Sequence, residues 1–436
     1  MSELTIKLPY GGKYIKCKIP ERNLLIIAKP KLSPPLENPK EYIREIVRKA
    51  ISELDIESKV KRDSKMAIAV TDSTRPTPNY IIVPIMLEEF GKLGVKEENT
   101  VVLIATGMHS PDSPEEIKRN VGEEVVSRVK VLNHNPDDKE LNKRVGVTDK
   151  GTDIEVNRLF LDADIRILTG TISPCMLVGW TGGAKTIMPG VSSRHSIEQN
   201  HLLFVKNVRK YKRGAMLGIM EGNLVREDID DYGVKVGVSL IVNVIQDGEA
   251  NVLDAYAGDI IEAHRKAVEK AKILMETKIP EKADIVIAAP GVYPHEVSLY
   301  QSGSRMLAAV ENVVKEGGSI ILVSSCYKGL YEGIEREAFR KFLITYRDPE
   351  EVLDLTEKGV IPSFESCISY QFVWMMEHYD ITVVTDGMKP EEIRELGMSY
   401  AGTVEEAVSE ALKKQGRDAS IIVLPYADIS NTYSKS

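Results

Sequence analysis

Apolar positions along this chain fall into two periods. Short runs of apolar, largely β-branched residues at 66–70, 101–105, 164–168, 283–289, 319–325, 381–385 and 421–424 have the length and composition of buried strands. Between several of them apolar residues recur at spacings of three and four, which predicts helices over 39–54, 79–93, 259–276 and 300–315. The stretch 234–245 is largely apolar and β-branched, and it predicts a further strand. Residues 1–28 read as short strands, with Gly11-Gly12 as a hairpin turn. Strand, polar loop and helix follow one another in both halves, so the fold class predicted is α/β with mixed, mostly parallel sheets.

The pattern restarts near Lys278-Ile279-Pro280. This predicts two α/β domains flanking a cleft: an N-terminal domain over 1–277, with 416–436 a candidate addition to it, and a smaller C-terminal domain over 278–415. A chain of 436 residues is too long for one ordinary core, which agrees. In open parallel sheets ligands gather beyond the carboxyl ends of the strands. Four loops stand there: 71–79 (TDSTRPTPN), 106–111, 169–190 and 290–303.

Composition narrows the partners. The net charge is -8 and 43% of residues are hydrophobic, which argues against nucleic acid or an anionic membrane as the main partner. No apolar run reaches membrane-spanning length and no signal-peptide core opens the chain, so a cytoplasmic location is expected. Cys17, Cys175, Cys326 and Cys367 are scattered, encoding neither a disulfide framework nor a local zinc site. Abundant Lys, Glu, Ile and Val with five Gln point to a heat-adapted source.

The chemistry concentrates in LTGTISPCMLVGWTGGAKTIMPGVSSRHSIEQNH, residues 168–201. Lys185 sits among Gly179, Gly182, Gly183 and Ala184, a run in which the backbone approaches a ligand closely. A lysine there is a phosphate partner or a reactive amine. His195 and His201 follow, six residues apart, so on a helix they face different ways and only one serves the Lys185 site. Gly-Trp-Thr-Gly-Gly-Ala-Lys-Thr nearly matches a nucleoside-triphosphate loop, but Ala184 stands where that motif needs glycine. Asp72 and Arg75 follow a buried strand. They either grip an anion or cap the next helix as a salt-bridged pair. His109, at another strand end, is placed to exchange protons or to cap a turn. His134, His264 and His378 read as structural, and His295 stays open.

Together, TDSTRPTP, TGMH, NHNPDD, GWTGGAKTIMPG with EQNH, and SLYQSG resemble the nickel-dependent lactate racemase family, over about residues 7 to 400. The resemblance implies a nickel-pincer nucleotide, a pyridinium mononucleotide with two thio-acyl arms, tethered through Lys185 and with its nickel bound by His201. It implies that Asp72, Arg75, Gly182 and Gly183 serve the cofactor. It implies proton transfer by His109 and substrate contacts from Arg75, Gln301 and Trp374. The expected partners are a small hydroxy acid and the cofactor-synthesis proteins, and an oligomer is allowed. The family's second acid/base histidine falls on Cys175, and its substrate-binding lysine on Ser304. Arg305 is adjacent, but on a helix its side chain is expected to point elsewhere. The expectation is therefore a racemase or epimerase whose substrate is not lactate: a larger hydroxy acid, a sugar acid, or a compound without a free carboxylate. The competing expectations are a kinase-like enzyme using the GGAKT loop and a non-catalytic member of the family.

Overall fold

The computed structural model describes residues 2–291, 296–331 and 336–434. Its scaffold is two six-stranded sheets. In the first, the order is Val252–Gly258, Leu240–Gln246, Ile165–Ile172, Met66–Thr71, Thr100–Ala105 and Lys130–Asn133. All neighbours run parallel except the edge strand Val252–Gly258. In the second, the order is Ser399–Ala401, Asp380–Val384, Val314–Val323, Ala283–Ala288, Ile421–Leu424 and Leu24–Ile27, parallel throughout.

Each sheet reverses its winding once. In the first, the chain leaves Met66–Thr71 toward one edge and returns to Ile165–Ile172 on its other side. In the second, the last strand Ile421–Leu424 returns beside Ala283–Ala288. Loops diverge at such points and leave a crevice beyond the strand ends. The crevices of the two sheets open on a common cleft.

The sheets divide the chain differently from the expected 1–277 and 278–415. Leu24–Ile27 pairs with Ile421–Leu424, so the N-terminal strand and the C-terminal segment both complete the second sheet. The hairpin Glu3–Tyr10 with Lys13–Pro20 buries Ile6, Leu8, Cys17 and Ile19 against Ile285, Ile287 and Val423 of that sheet. Parallel pairing carries no distance limit along the chain, so the amphipathic pattern could not reveal which sheet these strands join.

Two elements also depart from their predicted bounds. The run 234–245 is not one strand. Asn223 caps the helix Leu224–Val236, Gly237 ends it in the left-handed region, and Leu240–Gln246 follows. Val225, Ile229, Tyr232 and Val236 form its buried stripe, whereas Val234 is 53% exposed. The helix predicted over 300–315 spans Leu299–Val310, and Val314–Val323 is already strand. By contrast Asn38 and Pro39 start the helix Pro39–Glu53 where its pattern begins, and it buries Ile43, Val47, Ala50 and Ile51.

One apolar core spans both lobes, from Ala67, Leu103 and Leu168 through Phe204 and Tyr370 to Val286, Ile320 and Leu322. Phe204 and Tyr370 meet across it with ring centroids 5.8 Å apart. Glu198 of the first lobe accepts the Ser363 and Phe364 amides at 2.6 and 3.1 Å, holding the first turn of the helix Ser363–His378. The strands Glu276–Ile279 and Asn431–Ser434 pair in parallel as a further tie. The cleft is thus walled by two lobes packed on each other.

Candidate active site

The turn after Met66–Thr71 positions the first group. Asp72 is buried and accepts from the Thr74 amide at 3.1 Å and the Thr74 hydroxyl at 2.6 Å. Its other oxygen lies 2.6 Å from His109 Nδ1. Burial pushes the Asp72 carboxyl up, but His109, Arg75 and Thr74 outweigh it and hold the group at about 2. An ionised carboxylate only accepts, so His109 Nδ1 donates, and in the neutral imidazole that leaves the lone pair on Nε2. Gln301 Nε2 approaches that nitrogen at 3.3 Å. Neither Asp72 nor Thr74 caps the next helix, Asn79–Lys92, whose start has no side-chain cap. The helix-capping reading of Asp72 is therefore set aside.

The glycine-rich segment forms the floor. Pro174–Cys175 pairs with Gly179–Trp180 in a small antiparallel turn, and a 3-10 turn over Gly183–Thr186 follows. Gly182, in the left-handed region, lines the cavity, and a Cβ there collides with Ile172 and lies 2.7 Å from Asn243 Oδ1. Gly183 lies behind the wall, against His264 and Arg226, and gives its amide to Asn243 Oδ1 at 2.8 Å. It is not a cavity residue, which corrects the expectation of a cofactor contact there. A triphosphate loop joins strand directly to helix with its amides open. Here the Gly183 amide is committed and Thr186 donates to the Thr169 carbonyl at 2.7 Å, so the kinase-like geometry is absent.

Lys185 points into the cleft and donates to Cys175 Sγ at 3.3 Å. Burial lowers the amine's proton affinity, and the charges of Arg75 and Arg226 add to that, against the pull of Cys175. For Cys175 burial acts upward, yet the Lys185 ammonium and the Val178 and Leu177 amides bring the thiol down to about 7. His201 comes from the helix Arg194–Tyr211, whose start Ser193 caps. Its Nδ1 donates to the Ile197 carbonyl at 2.9 Å, leaving Nε2 as the free lone pair. Burial, then the nearby Lys185 charge, holds His201 down at about 4, so it is neutral. Phe364 of the second lobe packs on its ring, centroids 5.6 Å apart.

His195 faces away, as its spacing predicts. It lies 3.0 Å from Asp153, near Glu155, outside the cleft. Arg144 and Ser193 already serve those two carboxylates. His134, His264 and His378 bond the Ser192, Thr181 and Trp374 carbonyls as structural groups. His295 lies outside the described residues.

The second lobe supplies the opposite wall from the helix Leu299–Val310, started by Ser298. Gln301, Ser304 and Arg305 line the cavity. Gln301 Oε1 receives Arg75 Nη1 at 3.3 Å and Arg305 Nη2 at 3.2 Å. The expectation that Arg305 points elsewhere is corrected. It departs from the direction of Ser304, but it sits four residues beyond Gln301 and so shares that residue's face. Trp374 does not line the cavity. It lies on Ser363–His378 beyond Phe364 and Cys367, stacked on His378 with centroids 4.3 Å apart. Seven residues of helix carry it about 10 Å past Cys367. Phe364, Cys367 and Asp428 also line the cavity, whose volume is about 180 Å³. Nothing near them in sequence marked them. Asp72, Arg75, His109, Cys175, Gly182, Lys185, His201 and Gln301 all meet in this one cavity. Among the described residues no helix is long and apolar enough to cross a membrane.

Comparison with known proteins bears on the family and the fold. Residues 10–212 match the lactate racemase N-terminal domain family and residues 279–429 the lactate racemase C-terminal domain family. The lactate racemase of Thermoanaerobacterium thermosaccharolyticum is 29% identical over 428 residues, 96% of this chain and 97% of that protein. The lactate racemase of Lactiplantibacillus plantarum is 27% identical, covering 97% and 98%. The lactate racemase apoprotein structure from T. thermosaccharolyticum superposes with a TM-score of 0.83 at 26% identity, over 98% of this chain and all of that one. A Thermotoga maritima crystal structure shares the fold, with a TM-score of 0.72 at 20% identity, over 93% of this chain and all of that one.

Proposed function

Since this chain belongs to the lactate racemase family, we propose that it inverts the hydroxyl-bearing carbon of a 2-hydroxy acid larger than lactate. The supporting observation is that an amine, an imidazole and two proton-transfer groups, Lys185, His201, His109 and Cys175, share one interlobe cavity.

The residues fit a lysine-tethered nickel-pincer nucleotide. A tether needs a nucleophilic amine, and burial beside Arg75 and Arg226 draws Lys185 toward its neutral form. A nickel ligand needs a neutral imidazole with a free lone pair. His201 has both, because its other nitrogen is committed to Ile197. Gly182 allows close backbone approach beside them. When bound, this group supplies an acceptor for the hydride on the substrate's Cα.

The chain's own residues do the rest. Asp72 holds His109 in the tautomer whose Nε2 takes a hydroxyl proton. Cys175 handles the proton on the opposite side, where the family uses histidine. Arg75 and Gln301 orient the acid, and the closed lobes limit water. Ser304 replaces a family lysine and Cys175 a family histidine, and both are smaller side chains. That added room supports a substrate larger than lactate. The first lobe would then hold the cofactor and the second select the substrate.

Mass analysis of the Lys185 peptide, with nickel content, tests this after co-expression with cofactor-synthesis proteins. We expect a covalent adduct on Lys185 and about one nickel per chain. A bare Lys185, in a host that loads a lactate racemase in parallel, refutes the reading.

A further inference from the structure

The four cysteines are all unpaired, but their surroundings differ. Cys17, Cys326 and Cys367 are buried. The Cys367 S–H donates to the Phe364 carbonyl at 3.2 Å, and Cys326 lies 3.8 Å from the Ser302 hydroxyl. Cys175 keeps part of its surface open, and it lines the cavity. Lys185 is likewise part-open on that cavity, and its Nζ donates to Cys175 Sγ at 3.3 Å. Two short turns set them face to face: Pro174–Cys175 paired with Gly179–Trp180, then Gly183–Thr186.

A small oxidant that enters the cavity therefore meets one open thiol, with an amine already in contact with its sulfur. Sulfenic acids condense with the nucleophile nearest to them, nitrogen included. We propose that Cys175 and Lys185 are a paired oxidative-modification site: in the unloaded protein a hydroperoxide joins Sγ to Nζ as a sulfenamide, and a thiol reopens it. In the first step the sulfur attacks one peroxide oxygen and the O–O bond breaks. The leaving hydroxide takes a proton from the Lys185 ammonium, giving water, a sulfenic acid and a neutral amine. In the second step the amine attacks the sulfur and the S–O bond breaks. That hydroxide takes a proton from the nitrogen and leaves as water. Sulfur is oxidised by two electrons and one peroxide is reduced. The flexible four-carbon stem of lysine closes the remaining gap. An acylated lysine nitrogen is no longer nucleophilic, so a tethered cofactor and the sulfenamide exclude each other. The cap on tethering rests on the reading of Lys185 as the anchor, whereas the bond itself needs no cofactor.

The test uses full-length protein expressed without the cofactor-synthesis proteins, treated with a slight excess of hydrogen peroxide and digested with trypsin. Cys175 and Lys185 share one tryptic segment, 167–185, and a capped Lys185 blocks its cleavage. The expected product is 167–194, lighter by two hydrogens apart from any oxygen on Met176 and Met188. Dithiothreitol should return 167–185. Acylation of Lys185 by acetic anhydride should fall at least tenfold after peroxide and recover after the thiol. Cys175→Ser and Lys185→Arg should each abolish the product, and Cys367→Ser should leave it within twofold. In Lys185→Arg, which keeps the charge but not the amine, Cys175 should go on to the sulfinic acid. If peroxide leaves wild type cleaved at Lys185, with Cys175 either untouched or carried to the sulfinic acid, the proposal is overturned. So it is if the product survives Cys175→Ser or requires Cys367. None of these readouts involves nickel or turnover, so failure here leaves the racemase reading standing. A bare Lys185 in reduced, co-expressed protein refutes that reading and leaves the cross-link intact.

Discussion

Two thiols line the same cavity, Cys175 on the first-lobe wall and Cys367 on the second, and they stand in opposite states. Cys367 is buried, and Cys175 keeps part of its surface open. Burial pushes Cys367 far up, and the Glu198 and Glu365 carboxylates push it further. Burial pushes Cys175 up too, but the Lys185 ammonium and two backbone amides reverse the sign and bring it to about 7. Depth therefore says little about reactivity, and the nearest charge decides it. The same contrast runs through both walls. The first lobe holds its reactive groups on tight turns with fixed donors: Asp72 on Thr74 and His109, Lys185 on Cys175, His201 on Ile197. The second lobe offers side chains from two helices, long enough to adjust to a ligand. One wall is built for chemistry and the other for selection.

The largest effect should come from Lys185→Ala. It removes both the proposed anchor and the charge that sets Cys175. Turnover should fall below detection, and intact mass should show no adduct. The thiol gives a second reading. In wild type the folded Cys175 lies below the ordinary thiol value, so thiolate accumulates above about pH 7. Its pairing stabilises the fold above the unfolded thiol value, ~8.5, and that contribution fades as pH falls through 7. Without Lys185 burial dominates and the thiol rises above its ordinary value. Alkylation of Cys175 at pH 7.5 should then slow by roughly tenfold or more. Equal rates in the two proteins would erase the contrast between the walls.

Next in size is the Asp72–His109 pair. His109→Ala should lower kcat by about 10²- to 10⁴-fold, the usual worth of a positioned acid or base. Asp72→Asn should cost kcat nearly as much, because an amide no longer enforces Nδ1 protonation. Asp72 also stabilises the fold. Its folded value, about 2, lies below the unfolded value, so the contribution is full above about pH 4 and is lost as pH falls through 2. Asp72→Asn should lower stability by roughly 2 kcal/mol at pH 7, with the gap closing toward pH 2. A gap that is constant with pH would mean that Asp72 is not held charged by its neighbours.

How far the sequence announced this site follows from how each wall is encoded. First-lobe groups lie in short segments after strands, so one strand end brings each to the cleft. Asp72, His109 and Lys185 are legible that way, whereas Cys175 and the choice of His201 over His195, on the helix Arg194–Tyr211, come from the family resemblance. The second wall is encoded by helix phase and by which strands pair, and neither is local. Arg305 reads as turned away when set against Ser304, one residue off, but it shares the face of Gln301, four residues off. Leu24–Ile27 joins the second sheet, outside the domain expected over 1–277, because parallel partners are chosen by packing, not by neighbourhood. The helix Leu224–Val236 was hidden because its apolar stripe runs almost straight into the strand Leu240–Gln246, with Gly237 the one sharp boundary.

A smaller effect on chemistry, though not on folding, is expected of Gly182→Ala. The new Cβ collides with Ile172 and crowds Asn243, in a backbone region that side chains rarely adopt. Stability should fall by about 2–4 kcal/mol, read by denaturant midpoint. Once folded and loaded, the variant should keep its proton-transfer groups and most of its kcat. A loss of kcat without loss of stability would show that Gly182 contacts the ligand and does more than shape the turn.

The smallest effect on activity belongs to Trp374, and it sharpens the boundary of the selecting wall. Trp374 shares the helix Ser363–His378 with Phe364 and Cys367, which do line the cavity. It lies about two turns further on, stacked on His378 and closing over Gly214, where a Cβ would come within 2.7 Å of its ring. Its partners are structural: they tie the end of Arg194–Tyr211 and the segment after it to the second lobe. Trp374→Ala should therefore cost about 1–3 kcal/mol of stability through lost packing and stacking. KM and kcat for any accepted hydroxy acid should stay within about threefold, because a site this far from the cavity touches no ligand. Phe364→Ala, on the same helix but against His201, should instead disturb nickel retention, since it removes the ring that holds the imidazole in place. If the two variants behaved alike, the selecting wall would extend the length of the helix, and the division between the two walls would have to be redrawn.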